Sequence, residues 1–157
     1  QRSIILPCHG RGLKAASSPM SDWKVAENEK AGFHWIEKVG KRAVRYMLVD
    51  TNFWKTFAHN GLVLPFQERH SISLYKARPH EHRLLADHFS SEIRTPDKHK
   101  GREVDIWSLP SHEPDNHWWD CLIGNCVMAS RLGVVLRTTP IPVIDPTDKC
   151  EPRFAAI

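Results

Sequence analysis

Asp120 is the side chain best suited to chemistry in this sequence. It lies one turn into a stretch that reads as a helix, Asp115 to Leu132 (DNHWWDCLIGNCVMASRL), among Trp118, Trp119, Cys121 and Leu122. A carboxylate in such apolar company costs free energy unless an opposite charge, hydrogen-bond donors or a metal ion compensate it. His117, three residues earlier, and Gly124, four residues later, share its helical face. The glycine leaves that face open to close approach by a backbone or ligand. A plain structural role also suits the position, because an acidic group near a helix start is favoured by the positive end of the helix dipole.

Further candidates are Asp50 and Lys55. Asp50 ends an apolar run, and strand ends in α/β sheets often carry site residues. Asp50-Thr51-Asn52 is also ordinary helix-capping chemistry. Lys55 falls one turn into the helix that follows, either as a site residue or as a solvated lysine. Basic residues gather at Arg11 and Lys14, and again at Lys98, Lys100 and Arg102 around Gly101. Arg11, Lys14, Lys100 and Arg102 are candidates for phosphate contact, with simple loop solvation as the alternative. His80, His82 and His88 cluster with Glu81 and Asp87, but the HEH spacing puts two histidines on different helix faces and no HExxH occurs, so zinc is disfavoured. No GxxxxGK[ST] string is present, so this sequence carries no P-loop ATP site of its own.

The elements that must hold these groups can be read from pattern. Arg2 to Leu6 reads as a short strand and Pro7 to Ser18 as a basic loop. Gly32 to Val39 is a weak strand. Arg42 to Asp50 is apolar on both faces, as a central strand would be. A helix is expected from about Phe53 to His59, closed by Gly61. Ser71 to Tyr75 is a strand candidate, and His80 to Glu92 a helix with Leu84, Leu85, His88 and Phe89 on one stripe. Glu92 to Thr95 and Arg102 to Trp107 are expected to pair across a charged Pro96–Gly101 loop. In the last helix, Asp115 or Asn116 is placed to cap and Gly133 sits where a terminating glycine belongs. From Thr138 on, Pro140, Pro142, Pro146 and Pro152 suggest a tail wrapped on the surface or poorly ordered. The expected organisation is one domain over 1–136 and a proline-containing tail over 137–157.

Composition sets outer limits. The 157 residues suit a single core, and 41% of them are apolar, which excludes a disordered composition. No apolar run approaches the length of a membrane-spanning helix. The net charge of +4, with ten histidines in addition, tolerates a polyanion without requiring one. Cys8, Cys121, Cys126 and Cys150 show no CxxC pair and read as reduced, small apolar residues of a cytoplasmic protein. The chain opens on Gln1, so it is expected to be a piece of something longer.

Four segments, taken together and in order, resemble a known family. They are Leu48 to Phe57 (LVDTNFWKTF), His82 to Glu92 (HRLLADHFSSE), Lys100 to Trp107 (KGREVDIW) and Pro114 to Gly133 (PDNHWWDCLIGNCVMASRLG). All are similar to motifs of GpA-type phage terminase large subunits. Arg2 to Gly12 fits weakly as a fifth, and the tail after Thr138 has no counterpart. The resemblance implies an α/β chain with a partial RNase H-like fold, a mixed central sheet flanked by helices.

It further implies a metal-dependent endonuclease, a hydrolase that cuts concatemeric viral DNA for packaging into capsids. The implied cofactor is a pair of Mg²⁺ or Mn²⁺ ions held between three acids, about 4 Å apart so as to serve both attacking and leaving oxygens. The third acid comes from the final helix, and Asp120 matches it; His117, in the same motif, would orient it or a water. Implied partners are double-stranded DNA, the terminase small subunit, and the portal and capsid, in a host cytoplasm. One departure matters. The first two acids of the family precede the strand that resembles Arg2 to Leu6 and would fall before residue 1, so the metal site is expected to be incomplete here. A non-catalytic module that binds DNA or capsid partners is the competing expectation.

Overall fold

The computed structural model describes residues 5–112 and 115–134. Among the described residues, nine strands and α-helices follow in order: β1 (Cys8–Arg11), β2 (Lys30–Gly32), β3 (Trp35–Val39), β4 (Arg45–Asp50), α1 (Thr51–Val63), α2 (Arg83–Phe89), β5 (Ile93–His99), β6 (Arg102–Ser108) and α3 (His117–Arg131). The main sheet has the order β1-β4-β3-β2. It is mixed: β1 runs parallel to β4, while β3 is antiparallel to both β4 and β2. β5 and β6 form a separate antiparallel hairpin. The chain is thus α/β, with a mixed sheet flanked by helices.

β4 begins three residues later than expected, at Arg45 after a 3-10 turn over Lys41–Ala43, but it is apolar on both faces as expected. Met47 and Val49 on one face join Trp35 of β3, Trp54 and Ala58 of α1, and Trp119, Ile123 and Val127 of α3 in the principal core. Leu48 on the other face meets Ile36, Leu13 and Met20 in a smaller cluster. Trp54 and Trp119 are wholly buried, so two of the six tryptophans anchor the helices to the sheet. Glu37 lies on the helix-facing side of β3 at 2% exposure. Its carboxylate accepts from Arg45 of β4 at 2.9 Å and from Arg131, in the last turn of α3, at 2.9 and 2.8 Å. Burial pushes the Glu37 carboxyl up, but hydrogen bonds from Arg131 and Arg45 and their charge outweigh it and hold the group below its ordinary value.

Several boundaries depart from the sequence reading, each for a local reason. The first described strand is Cys8–Arg11, inside the segment read as a loop; residues 2–4 of the expected strand lie outside the described residues, and Ile5 and Leu6 are not strand. β1 is exposed along its length, so it has no apolar alternation to betray it. Only its partner defines it, through the Cys8–Met47 to Arg11–Asp50 register. α1 begins two residues earlier than expected and runs through Gly61, which is buried: a Cβ there would lie 2.9 Å from Ile72. Ile72 docks on α1, its N–H donating to the Gly61 carbonyl at 2.7 Å, and Ser71 to Tyr75 is not a strand.

α2 is shorter than expected. A 3-10 turn, Pro79–His82, precedes it. Ser90 and Ser91 end it, their hydroxyls donating to the carbonyls of Ala86 and His88 at 2.8 and 2.9 Å. Glu92 therefore stands outside the helix. The hairpin is longer than expected, with Pro96 and Asp97 inside β5 and the turn confined to Lys100 and Gly101, both at positive φ. A two-stranded ribbon leaves the outer edge of β5 free, which is where a proline fits. α3 ends as expected: Gly133 has φ +89°, with Gly133 N–H on Ser130 O and Val134 N–H on Ala129 O, both at 3.0 Å. The proline-containing tail over 137–157 lies outside the described residues.

Candidate functional site

Lys55 of α1 meets the α2–β5 link and the start of α3. The end of β4 starts α1, because the Asp50 carboxylate accepts from Phe53 N–H at 3.4 Å. One turn on, Lys55 projects into a nearly closed position, with its side chain 11% exposed. Its ammonium donates to Glu92 Oε1, in the link between α2 and β5, and lies 3.0 Å from Asp120 Oδ1 on the first turn of α3. Asn116 occupies the N-cap position of α3 but makes no side-chain cap. Its amide donates instead to Glu92 Oε1 at 2.8 Å and to Asp120 Oδ2 at 3.3 Å.

The charges in this cluster do not balance. Glu92 and Lys55 form a buried pair, the Glu92 side chain being 3% exposed, while Asp120 adds a second carboxylate that is 55% exposed. Two carboxylates and one ammonium leave one negative charge facing solvent at Asp120. Asp120 is exposed rather than enclosed by its apolar neighbours, so burial does not demand this pairing; its donors come from a distant helix and from the residue at its own cap. Beside it, among the described residues, nothing lies within 4 Å of where a Cβ on Gly124 would be.

His117 takes a different position. It is largely exposed, its Nε2 is 3.6 Å from Asp115 Oδ1, and its ring centroid is 6.3 Å from that of His88. His88 is buried, stacks on Trp118 at 5.3 Å and leaves Nδ1 without a partner among the described residues. His80 and His82, by contrast, lie in the 3-10 turn, and His82 bonds to the Tyr75 carbonyl at 3.1 Å.

Asp50 carries a second constellation. It is 4% exposed, and its Oδ2 lies 3.2 Å from His34 Nδ1. The His34 ring stacks on Phe53 at 3.5 Å, and its backbone takes φ +55° in the β2–β3 turn. A cavity of about 160 Å³ opens beside this pair, lined among others by His34, Asp50, Asn52, Thr56, Arg102 and Asp105; Lys55 and Asp120 do not line it.

The two basic segments come together. The Lys14–Ser17 turn is clipped to the hairpin twice: Ala15 N–H donates to Asp97 Oδ2 at 2.8 Å, and the Arg102 guanidinium donates to the Ser17 carbonyl. Arg11, Lys14 and Lys100 are exposed, whereas Arg102 is half-buried and serves this clip. Asn52, at 5% exposure, holds the same arrangement from below. Its amide donates to the Leu13 carbonyl and its Oδ1 accepts from Trp107 N–H, each at 3.2 Å. A Cβ on Gly12 would lie 3.3 Å from the Asn52 amide and one on Gly10 only 2.7 Å from Thr51 Cγ2. The glycines of the basic segment therefore permit close approach to the start of α1.

No protein-family model, curated protein or solved structure matches this chain. Among the described residues, no group of three or more His, Cys, Asp or Glu side chains is arranged to hold a metal ion. Sequence reasoning singled out Asp120 and Lys55 separately. It missed their link, and it missed Glu92 and Asn116, which complete the cluster. The available signal was weak: an acid closing a helical segment, and an asparagine just ahead of the carboxylate helix.

Proposed function

We propose that this chain is part of the RNase H-like nuclease domain of a GpA-type phage terminase large subunit, a metal-dependent endonuclease that cuts concatemeric viral DNA for packaging. The single observation that carries the reading is Asp120. Its half-exposed carboxylate stands on the first turn of the last described helix, held against the start of α1 where the central strand ends. Support also comes from the four motif-like segments in family order over Leu48 to Gly133, and from a mixed sheet that contains a parallel strand pair.

Mg²⁺ and Mn²⁺ favour carboxylate oxygen, which Asp120 offers. The rest of the donor set does not fit a two-metal centre. The neighbouring acid, Glu92, is buried against Lys55 and Asn116, and Asp120 itself is paired with that lysine. Within the reading, its residues supply one carboxylate and a phosphate-facing surface. Arg11, Lys14 and Lys100 contact the DNA backbone, while Arg102 holds the basic turn on the hairpin. Double-stranded DNA, the small subunit, and the portal and capsid are the partners this reading assigns, in a host cytoplasm. No described helix is long and apolar enough to cross a membrane.

The test uses a full-length terminase carrying this segment. Asp120→Asn is expected to abolish Mn²⁺-dependent nicking of duplex DNA while leaving DNA binding intact; undiminished cutting would refute the role assigned to Asp120. A second reading, a non-catalytic DNA- or capsid-binding module, is favoured by the engagement of both carboxylates with Lys55. It expects binding to DNA or capsid protein that is indifferent to Mn²⁺ and to Asp120→Asn.

A further inference from the structure

The disagreement between the cluster and a divalent-metal site has a specific cause. We infer that the Lys55 ammonium is a built-in cation that holds Asp120 in position, and that it must be displaced or neutralised before a divalent ion can bind this carboxylate. The inference rests on the proposed reading only in taking Asp120 as the carboxylate where the ion would be held.

The Lys55 ammonium donates to Glu92 and stands 3.0 Å from Asp120, so it already occupies the space between the two acids. Asn116 spans the same two groups from the α3 cap, at 2.8 and 3.3 Å. The two ion pairs are unequal. Lys55–Glu92 is a buried pair whose loss would strand a charge at 3% exposure, whereas Lys55–Asp120 joins the lysine to a carboxylate that water already reaches. Glu92 alone balances Lys55. The Asp120 contact is therefore the exchangeable one, and Asp120 the group an external cation would reach first. An ion entering there meets a fixed positive charge. That charge repels a +2 ion even at the dielectric constant of water, and more strongly in a partly closed site.

Lys55 and Glu92 are thus positioning residues with opposite effects. The lysine lowers the affinity of Asp120 for divalent ions, and the glutamate restrains the lysine. A purely structural role would give both substitutions the same sign.

The experiment titrates the 157-residue chain with Mn²⁺ and follows paramagnetic broadening of the Asn116 and Asp120 amide signals. Lys55→Gln, which keeps a donor but removes the charge, is expected to lower the Mn²⁺ concentration for half-broadening by about tenfold or more. Glu92→Gln leaves Lys55 with Asp120 alone and is expected to raise it. Adding Asp120→Asn to Lys55→Gln should abolish the gain. If Lys55→Gln does not fold because Glu92 is left uncompensated, Lys55→Gln with Glu92→Gln removes both charges and should still bind Mn²⁺ more tightly than the unaltered chain. Equal broadening in the unaltered and lysine-substituted chains, or a gain that survives Asp120→Asn, would overturn the inference. Loss of the nuclease reading would show elsewhere, as cutting by the Asp120→Asn terminase, and would leave the Mn²⁺ result standing.

Discussion

Asn52→Ala tests whether one buried amide holds the basic surface together. Asn52 is 5% exposed and joins two segments far from it in sequence, the Leu13 carbonyl before β2 and the Trp107 N–H on β6. Truncation leaves both backbone groups without their partner. An unsatisfied buried group costs about 1–3 kcal/mol, so the two together cost about 2–6 kcal/mol. The cavity beside Asn52, about 160 Å³, can admit a water to the vacated space. That places the expected loss at the lower end, about 2–3 kcal/mol, still a large share of the stability of a small domain. Urea denaturation followed by tryptophan fluorescence measures the loss, and hydrogen exchange at the Trp107 amide localises it. Exchange at Trp107 should quicken more than exchange along β4, because the hairpin loosens first. A loss under about 1 kcal/mol with unchanged protection at Trp107 would refute the clasp, since even one orphaned buried group should exceed it.

Other perturbations separate charge from architecture. Lys100→Ala should weaken duplex DNA binding more at low salt than at high salt, read from the salt dependence of affinity; a salt-independent change would argue against phosphate contact. Arg102→Ala should in addition lower stability, because it releases the Ser17 carbonyl, so the two variants should differ in thermal denaturation. The Glu37 carboxyl is held below its ordinary value of 4.5, so its contribution is present above that pH and lost as pH falls through the folded-state value. Acid titration of stability should therefore show a decline below about pH 4.5 that Glu37→Gln flattens, with the variant less stable by about 1–3 kcal/mol at neutral pH. A variant with the same acid profile as the parent would remove Glu37 as the cause.

What could be read in advance was local. α3 announces itself through its apolar stripe and its closing glycine, and the position of Asp120 on its first turn follows from that register. β4 is legible because both of its faces are apolar, and Asp50 because capping chemistry follows a strand end directly. The hairpin is visible in the alternation of Val104 and Ile106 with Glu103 and Asp105. β1 was not legible, because an exposed edge strand keeps no periodicity of its own and is defined by hydrogen bonds to Met47 through Asp50. The early stop of α2 depends on two serine hydroxyls competing for helix carbonyls, which composition alone does not reveal.

The cluster around Asp120 divides in the same way. Sequence by itself determined that a carboxylate would sit on the first turn of a helix with an apolar stripe, because helical periodicity is a local property; its exposure, which removes the expected burial cost, was decided by packing. Only tertiary structure decided what pairs with it. Lys55 and Glu92 are 37 residues apart and meet because α1 and α3 pack on the same face of the sheet, with the α2–β5 link reaching the first turns of both. Pairing of that kind is a matter of packing geometry, which no spacing along the chain encodes.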